Sequence, residues 1–223
     1  MFTLACAPLD FVECTDRRKI GDRAPVFAPD EEIERIRERF QLHEPFVLYV
    51  GNVKPHKNLA RLIEAVHHLH ANGYDALKLL VIGSDISKYA ELRRAIHTHN
   101  LHRYVRFLGF VPDGTLHILY RLASVFAFPS LYEGFGLPPL EAMACGAPVV
   151  TSNVSSLPEV AGGAALLVDP YDEEAIANGI IRAVTDESLR AELIAKGTER
   201  ARSFSWPKSV KRIHDIYMEV GSR

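Results

Sequence analysis

The chain has 223 residues, 48% hydrophobic and 24% charged, enough for one substantial core of ordinary globular composition. A formal net charge of −2 gives no ground for a nucleic-acid or acidic-membrane partner. No apolar run approaches the roughly twenty residues of a membrane span, and Met1 to Ala7 lacks the basic start and the length of a secretory signal.

Residues 1 to about 25 show no period, and with Asp16-Arg17-Arg18-Lys19 at their centre they read as a linker. Pro29-Asp30-Glu31-Glu32 starts a helix with Ile33, Ile36 and Phe40 on one face, ended by Pro45. The apolar run Phe46 to Val50 reads as a parallel strand covered on both faces. After the turn 51–58, with Asn58 as cap, a helix carries Leu59, Leu62, Ile63, Val66 and Leu69 on one stripe. Strand 77–82, helix 86–98 and strand 105–108 follow, then a helix capped by Asp113 with Leu116, Leu119 and Tyr120. Strands 125–128, 147–150 and 164–168 come next, with a short helical turn at 155–159 before the last of them. Asp172 caps a helix bearing Ile176, Ile180 and Val184. Helix 187–201 and a last helix, opened by Pro207, complete the chain. Six strands alternating with helices predict an α/β fold, a doubly wound parallel six-stranded sheet of Rossmann-like type. Its ligand belongs at the carboxyl ends of the strands, where loops 51–58, 83–85, 109–113 and 129–137 gather.

Three cysteines (Cys6, Cys14, Cys145) without C-x-x-C spacing argue against a metal or redox centre and suit a reducing compartment, so the expected location is cytoplasmic. Among the ten histidines, His67, His68 and His70 fall in one predicted helix and His97 and His99 near the end of another. They read as solvated faces, not metal ligands.

The most informative stretch runs from Phe128 to Thr151. A strand ends at Pro129, a loop carries Glu133-Gly134-Phe135-Gly136, and Pro138-Pro139 opens a helix that Gly146 closes. Gly134 and Gly136 allow close backbone approach to a ligand, and the following helix offers unpaired N–H groups suited to phosphate. Glu133 and Glu141, expected in the first helical turn, have seven residues between them. Two carboxylates flanking a phosphate-binding loop suit a ligand with hydroxyls at both ends, such as a nucleotide sugar. Each residue alone has a plainer reading: Glu141 as a partner for the helix dipole, the glycines as turn residues, Glu133 as a solvated acid.

Taken together, P-S-L-Y-E-G-F-G-L-P-P-L-E-A-M-A-C-G-A-P-V-V resembles the E-x7-E region of retaining glycosyltransferases of the GT4 family, which adopt the GT-B fold. The resemblance implies that Glu133 contacts the transferred sugar. It implies that the backbone at Phe135, Gly136 and Leu137 meets sugar hydroxyls and phosphate, and that Glu141 holds the ribose. V-G-N-V-K-P-H-K-N-L resembles the family's G-x-x-x-P-x-K-N element, beginning at Gly51, whose lysine, here Lys57, binds the donor diphosphate. Many members carry arginine immediately after that glycine, where this chain has Asn52, so phosphate charge rests on Lys57 aided by His56. Leu108-Gly109-Phe110-Val111-Pro112 resembles the segment receiving the nucleobase, through backbone near Val111; its plainer reading is a strand end and turn.

The resemblance covers roughly residues 45 to 220 and corresponds to the donor half of a GT-B enzyme, with 1–44 as linker and N-terminal helix. The expected activity is transfer of a mannose-like hexose from a GDP- or UDP-sugar with retention, without a required metal or other cofactor. The acceptor domain is missing, and a membrane enters only through a lipid-linked acceptor. The last helix is left exposed, docked differently, or used in self-association. Alternatives are a non-catalytic nucleotide-binding or interaction module and a sugar-nucleotide epimerase of the same fold; a phosphorylase would want a further basic cluster that is not found.

Overall fold

The computed structural model describes residues 28–83 and 89–221. The opening linker, the end of the 83–85 loop and the predicted helix start at 86 lie outside the described residues. In chain order the elements are α1 (Asp30–Phe40), β1 (Phe46–Val50), α2 (Leu59–Ala71), β2 (Lys78–Ile82), α3 (Ala90–Thr98), β3 (Val105–Gly109), α4 (Asp113–Leu122) and β4 (Val125–Phe128). There follow α5 (Leu137–Ala144), β5 (Val149–Ser152), α6 (Leu157–Ala161), β6 (Leu166–Val168), α7 (Glu173–Thr185), α8 (Glu187–Ser203) and α9 (Trp206–Gly221).

The six strands form one sheet in the order β3-β2-β1-β4-β5-β6, every neighbouring pair parallel. This is the doubly wound Rossmann-like arrangement that the alternation of elements predicts. The apolar runs explain it: residues 46–49 of β1 and all of β4 and β5 are buried, as strands covered by helices on both faces must be. Tyr49, Phe126 and Phe128 make an aromatic row across β1 and β4, with centroids 6.0 Å apart for Tyr49–Phe128 and 5.8 Å for Phe126–Phe128. Ile33 and Ile36 of α1 join the same core.

Several local expectations are corrected. The strand placed at 147–150 is Val149–Ser152, because Gly146 takes φ 78° and the Ala147 N–H bonds back to the Ala142 carbonyl at 2.9 Å, so the helix exit consumes Ala147 and Pro148. The strand placed at 164–168 shortens to Leu166–Val168, since the Ala164 N–H closes a turn onto Ala161. Asn58 and Asp113 are not side-chain caps. Pro112 occupies the cap position of α4, and Asn58 directs its side chain elsewhere. Asp172 does cap α7, accepting from the Ala175 N–H at 2.9 Å.

The histidines at α2 and α3 are not simply solvated. His67 stacks on His99 (4.1 Å), His99 pairs with Glu64 (2.7 Å), and His70 meets the Leu77 carbonyl and the edge of Tyr104. Burial, then the neighbouring His99, holds His67 below the usual imidazole range. Cys145 is buried in the core. Along α9, Val210, Ile216, Tyr217, Met218 and Val220 are exposed, and no described helix is long and apolar enough to cross a membrane.

Candidate functional site

The strand order sets the site. β1 and β4 are neighbours although three helices and two strands separate them in sequence, and from this pair the sheet is wound outward in both directions. Loops leaving the carboxyl ends of two such strands diverge and leave a crevice between them. Here the two loops are the one after β1 and the one after β4.

The β1 loop begins at Gly51, whose N–H donates to the Ile82 carbonyl at 2.9 Å. A side chain at Gly83 would meet the Gly51 carbonyl at 2.0 Å, so glycine is required for the ends of β1 and β2 to lie this close. Asn52 is exposed, and a 3-10 turn, Pro55–Lys57, carries His56 and Lys57. Asn58, 4% exposed with φ 60°, donates from Nδ2 to the carbonyls of Pro129 (2.9 Å) and Pro170 (2.7 Å). The Leu131 N–H donates to the His56 carbonyl at 2.8 Å. These bonds tie together the loops after β1, β4 and β6.

Glu133 stands opposite Lys57. Lys57 Nζ donates to both carboxylate oxygens, at 2.7 and 2.9 Å, and Ser130 Oγ donates to Oε1 at 2.6 Å. The two side chains are only 18% and 11% exposed, which makes this an ion pair shielded from water. Lys57 Nζ also lies 5.1 Å from the centre of the Phe128 ring, so the cation rests on the aromatic row. The Glu133 backbone is fixed on both sides: its N–H donates to Ser155 Oγ, and its carbonyl accepts from Ser155 and Ser156. Ser156 also donates to the Phe135 carbonyl at 2.7 Å. Ser152 Oγ and Thr151 Oγ1, both buried, hold the carbonyls of Ser130 and Phe128.

The glycines of the loop differ. Around Gly134 a side chain would meet open space. Gly136 takes φ 114° at the start of α5, and a side chain there would strike Leu157 at 2.9 Å, so it sets the turn and its packing. Phe135 is exposed and presents its ring edge-on to Phe204 at 5.7 Å, Leu137 is the first residue of α5, and Val111 is buried just after β3.

Glu141 departs from its expected position. It is the fifth residue of α5, past the first turn, and its carboxylate turns to α4, where Tyr120 donates a hydrogen bond at 3.0 Å. Burial pushes the Glu141 carboxyl above the usual range; the Tyr120 hydrogen bond pulls it down and Asp113 raises it. Tyr120, fully buried, is held well above the usual phenol range by burial and then by Glu141. Among the described residues no hydrogen bond or ion pair joins Glu141 to Lys57 or Glu133.

The sequence reading missed the supporting side chains: Tyr49, Asn58, Tyr120, Ser130 and the Ser152, Ser155, Ser156 group. Only the hydroxyl-rich run after β5 carried a signal, since Ser152, Ser155 and Ser156 leave the carboxyl end of a strand beside the neighbouring loop. Among the described residues no group of three or more His, Cys, Asp or Glu side chains is placed to hold a metal ion.

Residues 30–200 match the family model described as glycosyl transferases group 1. The O-antigen chain mannosyltransferase B of Escherichia coli is 39% identical over 181 residues, which are 81% of this chain and 48% of that protein. The D-inositol 3-phosphate glycosyltransferase of Corynebacterium glutamicum (strain R) is 30% identical over 218 residues, 89% of this chain and 52% of that one. Among solved structures, sucrose-phosphate synthase from Thermosynechococcus elongatus superposes with a TM-score of 0.72 at 33% identity, over 85% of this chain and 49% of that one. Anabaena HepE, solved with UDP and glucose, superposes with a TM-score of 0.77 at 23% identity, over 86% of this chain and 53% of that one, a likeness of fold. The chain thus spans about half the length of these relatives. With the family model matched over most of its length, this chain belongs to the glycosyl transferases of group 1.

Proposed function

We propose that residues 45–223 are the donor-binding half of a retaining glycosyltransferase that moves a mannose-like hexose from a nucleoside diphosphate sugar, with residues 1–44 leading into it. The observation that carries this reading is the Lys57–Glu133 pair across the β1/β4 crevice, a shielded cation and carboxylate where a sugar diphosphate would lie. Lys57, with backbone N–H groups of 134–137, meets the diphosphate; Glu133 accepts from sugar hydroxyls and Glu141 from the ribose. Val111 marks the base end, and Gly51, Asn52 and His56 line the phosphate side. Lysine and amides, in place of a metal, carry the charge.

In the reaction the bond between the anomeric carbon and the phosphate oxygen breaks and its electron pair leaves with the nucleoside diphosphate. The acceptor hydroxyl bonds to the same face of the sugar and passes its proton to the leaving phosphate oxygen. Lys57 stabilises the growing phosphate charge. Transfer also needs an acceptor held close and water excluded, which a second domain supplies. The naming of several relatives as mannosyltransferases favours GDP-mannose as donor, and a lipid-linked acceptor brings the only membrane contact.

Calorimetry of the 223-residue chain with GDP-mannose, UDP-glucose, GDP and UDP tests this. Binding of at least one of them is expected. No binding to any favours a non-catalytic interaction module of the same fold.

A further inference from the structure

Resting on that reading, a further role emerges for a residue outside both motifs. Lys57 uses two of its three N–H donors on Glu133. It cannot serve a diphosphate fully without loosening this hold. The Glu133 carboxylate, 11% exposed, would then keep only the Ser130 hydroxyl, and a shielded carboxylate that loses its cation needs another donor.

One donor belongs to the same cluster. The Tyr49 hydroxyl is the single buried side-chain polar atom without a hydrogen-bond partner among the described residues. Its oxygen lies 3.1 Å from where a side chain at Gly51 would begin, at the root of the loop that carries Lys57. Its ring stacks on Phe128, the same ring on which Lys57 rests. Tyr49, Phe128, Lys57 and Glu133 are thus one cluster, in which one carboxylate is due to lose a donor and one donor lacks an acceptor. Burial, with the Glu133 charge adding to it, pushes the Tyr49 phenol up, so it stays protonated and able to donate.

We propose that Tyr49 is a positioning residue: when Lys57 turns to the diphosphate, the Tyr49 hydroxyl takes its place on Glu133. The Lys57–Glu133 pair is then a latch, and binding of a nucleoside diphosphate is an exchange of partners. Two consequences follow for sugar-free nucleotides, where no sugar hydroxyl can satisfy Glu133. Tyr49→Phe keeps the ring and removes the takeover donor, so binding weakens. Glu133→Ala frees Lys57 in advance, so binding tightens.

The test is calorimetry of the full chain with UDP and with GDP, on wild type, Tyr49→Phe, Glu133→Ala and the double variant. Tyr49→Phe should bind roughly tenfold more weakly than wild type, the worth of one hydrogen bond to a charged group. Glu133→Ala should bind several-fold more tightly, and adding Tyr49→Phe to it should change nothing. The unfolding midpoint of ligand-free Tyr49→Phe should be no lower than wild type, because the hydroxyl lost has no partner. Equal affinities of Tyr49→Phe and wild type, or the same loss in the Glu133→Ala background, would overturn the exchange while leaving the donor-site reading intact. Wild type that binds neither nucleotide removes the donor site itself and the exchange with it.

Discussion

Glu133 and Glu141 belong to one motif, yet they occupy opposite electrostatic settings. Glu133 sits on a loop, grips a lysine with both oxygens and has its backbone pinned by two serines. Glu141 sits on a helix, faces a phenol, and has burial working against its charge. The difference arises outside the motif. Glu133 follows β4, whose sheet neighbour is β1, and so meets Lys57; Glu141 lies under α4, and so meets Tyr120. Identical side chains thereby become one carboxylate bonded to a lysine and one that burial inclines toward the neutral acid.

The largest expected effect comes from breaking the scaffold on the Glu133 side. Asn58→Asp replaces a buried two-bond donor by a charged acceptor aimed at two carbonyls, and should cost about 3 kcal/mol in a urea titration. Retention of wild-type stability would mean that Asn58 does not hold the three loops together.

Next is Lys57→Ala, which removes the cation from the crevice. Nucleotide-sugar affinity should fall by about 2 kcal/mol, some thirtyfold, by calorimetry. Ligand-free stability should also fall, since Glu133 exchanges a cation for neutral hydroxyl donors.

Glu141 sharpens the comparison through pH. Its folded-state value is raised above the ordinary 4.5 by burial. The folded chain therefore holds this proton more tightly than the unfolded chain does. That contribution to stability is fully present below the ordinary value and is lost as pH rises through the folded one. On the proposed role of Glu141 at the ribose, binding uses the ionised form, so nucleotide affinity should rise over the same window. Glu141→Gln should flatten both dependences and weaken binding by about 1.5 kcal/mol at neutral pH. A Glu141→Gln chain that keeps the wild-type pH profile would assign the dependence to another group.

The smallest effect is expected from Tyr120→Phe. The hydrogen bond it removes lowers the Glu141 value, so the affinity profile should move to higher pH. Neutral-pH affinity should change by about 1 kcal/mol or less.

Much of this was legible beforehand. The apolar runs starting at Phe46, Leu77, Val125 and Ala147, separated by helical stripes, point to a parallel sheet because strands covered on both faces are apolar throughout. Lys57 and Glu133 stood out as motif residues on two loops, and the fold brings the two together. Boundaries near Gly146 and Ala164 were misplaced, because helix-exit hydrogen bonds consumed residues whose hydropathy resembles a strand. Asn58 read as a cap and became a brace, since its best acceptors are the carbonyls of Pro129 and Pro170, far away in sequence.

The sequence by itself determined the elements and the chemical types at the loops, because periodicity, glycine and proline placement act over a few residues. Only the tertiary structure decided that β1 lies beside β4, that Lys57 closes on Glu133, that Glu141 turns to Tyr120, and that the Tyr49 hydroxyl is left without a partner. Hydrogen bonds and shielded charges depend on distances between atoms many residues apart, and those distances are set by how the sheet is wound.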